Sequence, residues 1–156
     1  MTVADTAREL RAVADRLGNM RPILEVKASD IRTYIDDRFN EARDVAGAPF
    51  SPLSETTIAI NPRRAGGTPL SDTGRMRRSI TTTVGARELA FGTNAVQAPA
   101  LNFGNPRNRV FGGPPGPIPS RRFLPVSRDG RSLEPASFWD PLIADVEHWL
   151  ATGEVR

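Results

Sequence analysis

Nine of the sixteen residues from Gly104 to Pro119 are glycine or proline. A helix needs an amide hydrogen at each step and a central strand needs its ladder donors, so neither can pass through this stretch. The chain must therefore be built from regular elements on either side of a long loop, and loops of that length are usually functional or disordered. Val110-Phe111 lies inside it. Left in water that pair would be unfavourable, which predicts that this arm docks on a neighbouring subunit. With 156 residues, 38% of them apolar and 25% charged, the chain reads as one globular domain with a genuine core. No apolar run reaches the length of a membrane span and the first ten residues lack a signal-peptide pattern, so we expect a protein made in a cytoplasm and no membrane partner.

Periodicity supplies the elements. Val3, Ala7, Leu10, Ala14 and Leu17 form one apolar stripe on a helix that ends near Gly18-Asn19. Leu24, Ala28, Ile31, Ile35, Phe39, Ala42 and Val45 or Ala46 form a second, on a helix of about two dozen residues with Pro22 in its first turn and Gly47 as its stop. Ser54 can cap a short helix toward Ile60, ended by Pro62, before a basic, turn-rich loop at 61–69. Asp72 can cap a helical turn ahead of a strand from Ile80 to Val84; Gly85-Ala86 then reads as a hairpin turn, Arg87 to Phe91 as the partner strand and Gly92-Thr-Asn94 as the exit. Residues 96–103 read as a helix or turn and Phe123-Leu-Pro-Val126 as a short edge strand. Leu142, Ile143, Val146, Trp149 and Leu150 mark a last helix, with Asp140-Pro141 as cap and first position.

The fold class is α+β: long N-terminal helices packed on a small antiparallel sheet, extended Gly/Pro-rich loops and a C-terminal helix. We expect a single domain, helical over 1–46, a loop arm over 47–70, a small sheet with the loop 104–119 over 71–130, and a helix within 131–156.

Chemistry is constrained by what is missing. There is no cysteine and one histidine, His148, which excludes thiolate sites and a histidine-rich metal or catalytic centre. Asp36, Asp37, Glu41 and Asp44 read as a solvated helix face with Arg38 and Arg43 as counter-charges. Gly112-Gly-Pro-Pro-Gly116 lacks the ending and the following helix of a phosphate loop. No enzyme, cofactor or metal is expected.

Charge is unevenly placed. Residues 1–60 carry 8 basic and 10 acidic side chains, residues 61–131 carry 12 and 3, and residues 132–156 carry 1 and 5. A basic block between acidic flanks fits a polyanion nearby, or a self-assembling subunit whose basic surface meets a neighbour's acidic one. Arg75, Arg77 and Arg78 are the candidates for facing DNA or another polyanion. No helix-turn-helix, zinc-finger or aromatic RNA-binding signature accompanies them.

Five short patterns follow one another in order: Gly47-Ala-Pro-Phe-Ser-Pro-Leu-Ser-Glu-Thr-Thr57, Leu70-Ser-Asp-Thr-Gly-Arg-Met-Arg-Arg-Ser-Ile80, Phe91-Gly-Thr-Asn94, Phe103-Gly104 and Ile118-Pro-Ser-Arg-Arg-Phe-Leu124. In this the chain resembles the phage virion morphogenesis, or tail-completion, family over roughly residues 20–130. Where that family commonly has a Tyr-Ala step and a His or Gln before the Phe-Gly, this chain has Ala98-Pro-Ala-Leu-Asn102. The resemblance marks Leu70, Thr73, Gly74, Ser79, Ile80, Phe91, Gly92, Phe103, Gly104, Ile118, Pro119, Arg121, Phe123 and Leu124 as structural positions.

It also implies a noncatalytic protein of the virion neck or tail, assembled in the host cytoplasm, that completes the tail and joins head to tail as an oligomeric, often sixfold, ring. The implied partners are further copies of itself, head-tail adaptor or portal-side neck proteins, tail terminator or tail tube proteins, and genomic DNA in the channel. Loops 61–69 and 104–119 would grip neighbours, with Phe50, Leu53, Arg63, Arg64, Arg107, Arg109, Val110 and Phe111 as interface candidates. Two alternatives are a minor tail tube or baseplate protein, and a nonspecific nucleic-acid-binding protein.

Overall fold

The computed structural model describes residues 2–107 and 116–155. Six helices and one hairpin appear among them, in the order α1 (Val3–Gly18), α2 (Arg21–Glu41), α3 (Glu55–Ile60), a 3-10 turn (Pro62–Arg64), α4 (Arg75–Arg78), β1 (Ile80–Val84), β2 (Leu89–Thr93), α5 (Ala98–Phe103) and α6 (Ala136–Thr152). Long helices, one small antiparallel sheet and a C-terminal helix make this an α+β protein, as the residue pattern predicts.

Two compact units are present, and neither is continuous in sequence. The first comprises Met1–Arg32, Thr82–Phe91 and Ala136–Arg156; the second comprises Thr33–Thr81 and Gly92–Pro135.

In the first unit α1 starts at a reciprocal cap: the Asp5 amide donates to the Thr2 hydroxyl while the Asp5 carboxylate accepts from the Thr2 amide. Apolar side chains from three places make the core. Ile23 and Leu24 of α2 and Trp149 of α6 are buried, with Met20, Val84, Leu89, Val146 and Leu150 packed around them. Phe91 reaches Trp139 at 5.7 Å between ring centroids. The Met20 amide donates to the Ala86 carbonyl at 2.7 Å, tying the hairpin turn to the start of α2.

Lys27, the only lysine, is 5% exposed. Its ammonium donates to Asp145 at 2.7 Å and to Asp30 at 2.9 Å. Burial works to lower its pKa, but the bonds to the two carboxylates and their charge outweigh it and hold the pKa above the ordinary lysine value.

In the second unit Phe39 packs on Phe123 at 5.2 Å, and Ile35, Val45, Phe50, Met76, Ile80 and Ala98 are buried as well. The Arg77 guanidinium donates to Asp36 at 2.7 Å and to Asn40 at 2.8 Å, fastening α4 to the last turns of α2.

Several boundaries differ from the sequence expectation, each for a local reason. The second helix stops at Glu41 rather than near Ala46, because Ala42 is left-handed with φ 53° and the Asp44 carboxylate accepts the Ala46 and Ala48 amides. Val45 is still buried, from a loop and not from a helix face. Asp72 does not cap α4; it pairs with Arg64 at 3.4 Å, and Gly74, φ 70°, is the capping residue. The Gly85 amide bonds to the Glu88 carbonyl, so the hairpin turn takes in Glu88 and the second strand begins at Leu89, running two residues past Phe91.

Phe123 to Val126 forms no strand. Both donors that a ladder would use, the Phe123 and Leu124 amides, go to the Asn102 side-chain oxygen, Pro125 has none, and Val126 makes a single bridge to Leu133. The last helix begins at Ala136, one turn before the Asp140-Pro141 expectation, with Pro141 inside it. Trp139 is 7% exposed, and its burial stabilises that extra turn.

Candidate functional site

All five motif segments contribute to the second unit, and the structure shows how they interlock. Leu70, itself left-handed at φ 65°, leads into a turn where the Thr73 carbonyl accepts from Arg78 at 2.8 Å. Gly74 is required by its positive φ; a Cβ there would meet only the end of the exposed Arg78 side chain, which can move aside. Ser79 donates to the Met76 carbonyl, and its hydroxyl meets that of Thr93 at 2.6 Å, joining the second motif to the third.

The fourth and fifth motifs are stapled by Asn102, 1% exposed, whose side-chain oxygen holds the Phe123 and Leu124 amides at 2.8 and 2.9 Å. The Ser120 hydroxyl donates to the Asn102 carbonyl and the Arg121 amide to the Leu101 carbonyl. Gly104 admits this approach; a Cβ on it would stand 3.0 Å from the Ser120 amide nitrogen. No such contact explains Gly92, which has open space around it.

The first motif is reached through Arg121. This side chain is 6% exposed, yet it donates only to backbone: Nε to the Ser51 carbonyl and Nη2 to the Pro52 carbonyl, both at 2.8 Å. No carboxylate among the described residues pairs with it. Burial lowers its pKa, and the neighbouring Arg64 charge lowers it further.

Three of these segments, the first, second and fifth, enclose a half-open cleft of about 770 Å³ together with Ile60, Arg64, Gln97 and Leu101. Its walls are Leu53, Ile60, Leu70, Met76, Leu101 and Ile118, and three guanidinium groups line it, Arg64, Arg75 and Arg121, against the single carboxylate of Asp72. Cations beside apolar walls suit recognition of an amphipathic, negatively charged surface.

Other expected positions fall as follows. Phe50 is buried in its own unit, which removes it from any subunit surface; Leu53 is half-buried in the cleft wall. Arg63 and Arg107 are exposed, and Arg64 is held by Asp72. Arg109, Val110 and Phe111 lie outside the described residues. Of the three arginines expected to face a polyanion, Arg77 is committed to Asp36 and Asn40 and Arg78 donates to the Thr73 carbonyl, while the exposed Arg75 guanidinium pairs with no described residue. Asp44 serves its own turn and Glu41 pairs with Arg38. Among the described residues no group of three or more His, Asp or Glu side chains is placed to hold a metal ion.

A model of the phage virion morphogenesis family matches residues 2–133. The chain belongs to that family. Among curated proteins and among solved structures no match is found. Membership makes this a virion-associated protein with a part in virion assembly, in a family that is generally structural and not catalytic. No helix among its described residues is long and apolar enough to cross a membrane. All the residues that line the cleft lie within the matched region, whereas α6 lies beyond it.

Sequence reasoning missed Asn102, Lys27 and the isolation of Arg121. Asn102 had a signal, a single polar residue between Leu101 and Phe103 in an otherwise apolar run, and Lys27 had one in being the only lysine. Arg121 had none, since nothing local reveals that its partners are carbonyls seventy residues earlier.

Proposed function

We propose that this virion morphogenesis protein is a noncatalytic structural component of the neck or tail end, completing the tail and joining head to tail as an oligomeric ring. The observation that carries the reading is the cleft: the first, second and fifth family motifs line it, and what it offers is charge and apolar surface for a protein partner. Its partners in this reading are further copies of itself, an adaptor on the head side and a terminator or tube protein on the tail side, with DNA passing through the channel. Assembly takes place in the host cytoplasm and the product stays in the virion.

Electron microscopy of lysates from a producer lacking only this gene tests the proposal. Full heads beside separate, unattached tails are expected. Overlong tails would replace joining by length termination, and normal joined particles would overturn the reading.

A further inference from the structure

Two surfaces of this molecule carry a net excess of charge, and the two have opposite sign. One is the cleft, where Arg121 is buried with no described carboxylate paired to it, exposed Arg75 stands at the wall, and only Arg64 has a carboxylate partner, Asp72. The other is the outer face of α6. Asp140, Ile143, Ala144, Glu147 and Ala151 recur at helical spacing and all are exposed, with Ile143 at 47%. No lysine or arginine occurs anywhere from 132 to 155, and no described residue pairs with Asp140 or Glu147.

We infer that the outer face of α6 on one copy docks against the Arg64–Arg75–Arg121 cleft of a second copy. This rests on the reading of the protein as a self-assembling virion component and names the surfaces involved. A phosphate backbone would use the arginines but leave Leu53, Leu70 and Ile118 uncovered, whereas an acidic helix face bearing Ile143 uses both the charges and the apolar walls. Because the two patches differ, the contact is heterologous: a joined pair still carries one free patch of each kind, and copies add head to tail.

Sedimentation velocity of the full chain over a range of protein and salt concentrations tests this. Wild type is expected to self-associate, less so as salt rises. Arg75→Glu and Glu147→Arg, both at exposed positions, should each weaken association about tenfold or more. Mixing the two variants should restore association, since each supplies the patch that the other lacks. A wild type that stays monomeric at low salt, or variants that associate as wild type does, would overturn the contact. So would an Arg75→Glu chain that loses affinity for a random-sequence DNA duplex while still associating normally. The gene-deletion phenotype is read separately. Joined particles in the deletion with the expected sedimentation would remove the neck function and leave the contact standing.

Discussion

α1 and α2 are neighbours in sequence, both helical and both striped with apolar residues, yet they are used in opposite ways. α1 is the more strongly amphipathic of the two and has no buried residue; Val3, Leu10 and Leu17 are 89%, 65% and 46% exposed. α2 has little net sidedness and contributes Ile23, Ile31, Ile35 and Phe39 to the interior, together with a buried lysine. Sidedness measures how well a helix could cover one surface. Burial depends on how many surfaces surround it, and a helix enclosed on several sides needs apolar groups all round, with any charge among them paired.

The largest expected effect comes from truncating the two helices in parallel. Ile31→Ala should destabilise the protein by about 2–5 kcal/mol through lost burial and the cavity left behind. Leu10→Ala, on an open face, should stay within about 0.5 kcal/mol. Urea denaturation of both variants decides it, and equal losses would break the contrast.

Next in size is the buried cation of α2. Lys27→Met keeps the volume but takes the ammonium away from Asp30 and Asp145, for a loss of about 1–3 kcal/mol, moderated because both carboxylates reach solvent. The pH dependence carries the same signature. The folded pKa of Lys27 is raised above its ordinary value of 10.5, so its contribution is fully present below that pH and is lost as pH climbs through the folded value. Tyr34 acts in the same direction: burial and the Asp44 charge raise its pKa against the pull of Arg38 and Arg122. Alkaline unfolding should therefore be blunted in Lys27→Met, and flattened further when Tyr34→Phe is added.

Smaller effects belong to α1. Gly18 has an ordinary φ and open space around it, so Gly18→Ala should stabilise the last turn by about 0.5–1 kcal/mol. Thr2→Ala removes the reciprocal cap, and faster amide exchange should be confined to the first turn of α1, with α2 unchanged. Exchange that spread into α2 would mean that α1 is more tightly integrated than its exposure indicates.

Much of the fold is legible in local pattern. The α1 stripe and its Gly18-Asn19 end, Ser54 ahead of α3, and the β-branched run Ile80 to Val84 appear where the residues place them. Legibility fails where a side chain takes over a backbone group, as Asn102 does for Phe123 and Leu124, or where a distant contact extends an element, as Trp139 does for α6. The cleft was visible only in part. Arg64, Arg75, Leu70, Ile118 and Arg121 stand out as residues, but nothing in their spacing brings them to one opening.

The sequence by itself determined helix positions, the hairpin's first strand, the charge blocks and membership of the virion morphogenesis family, because periodicity, caps and short motifs are properties of residues close together in the chain. Only the tertiary structure decided that the clearest apolar stripe is left exposed on the chain, that Lys27 is enclosed by a carboxylate 118 residues away, and that Arg121 is buried among carbonyls with no described carboxylate paired to it. Burial and ion pairing are set by which distant segments meet, and no local pattern carries that information.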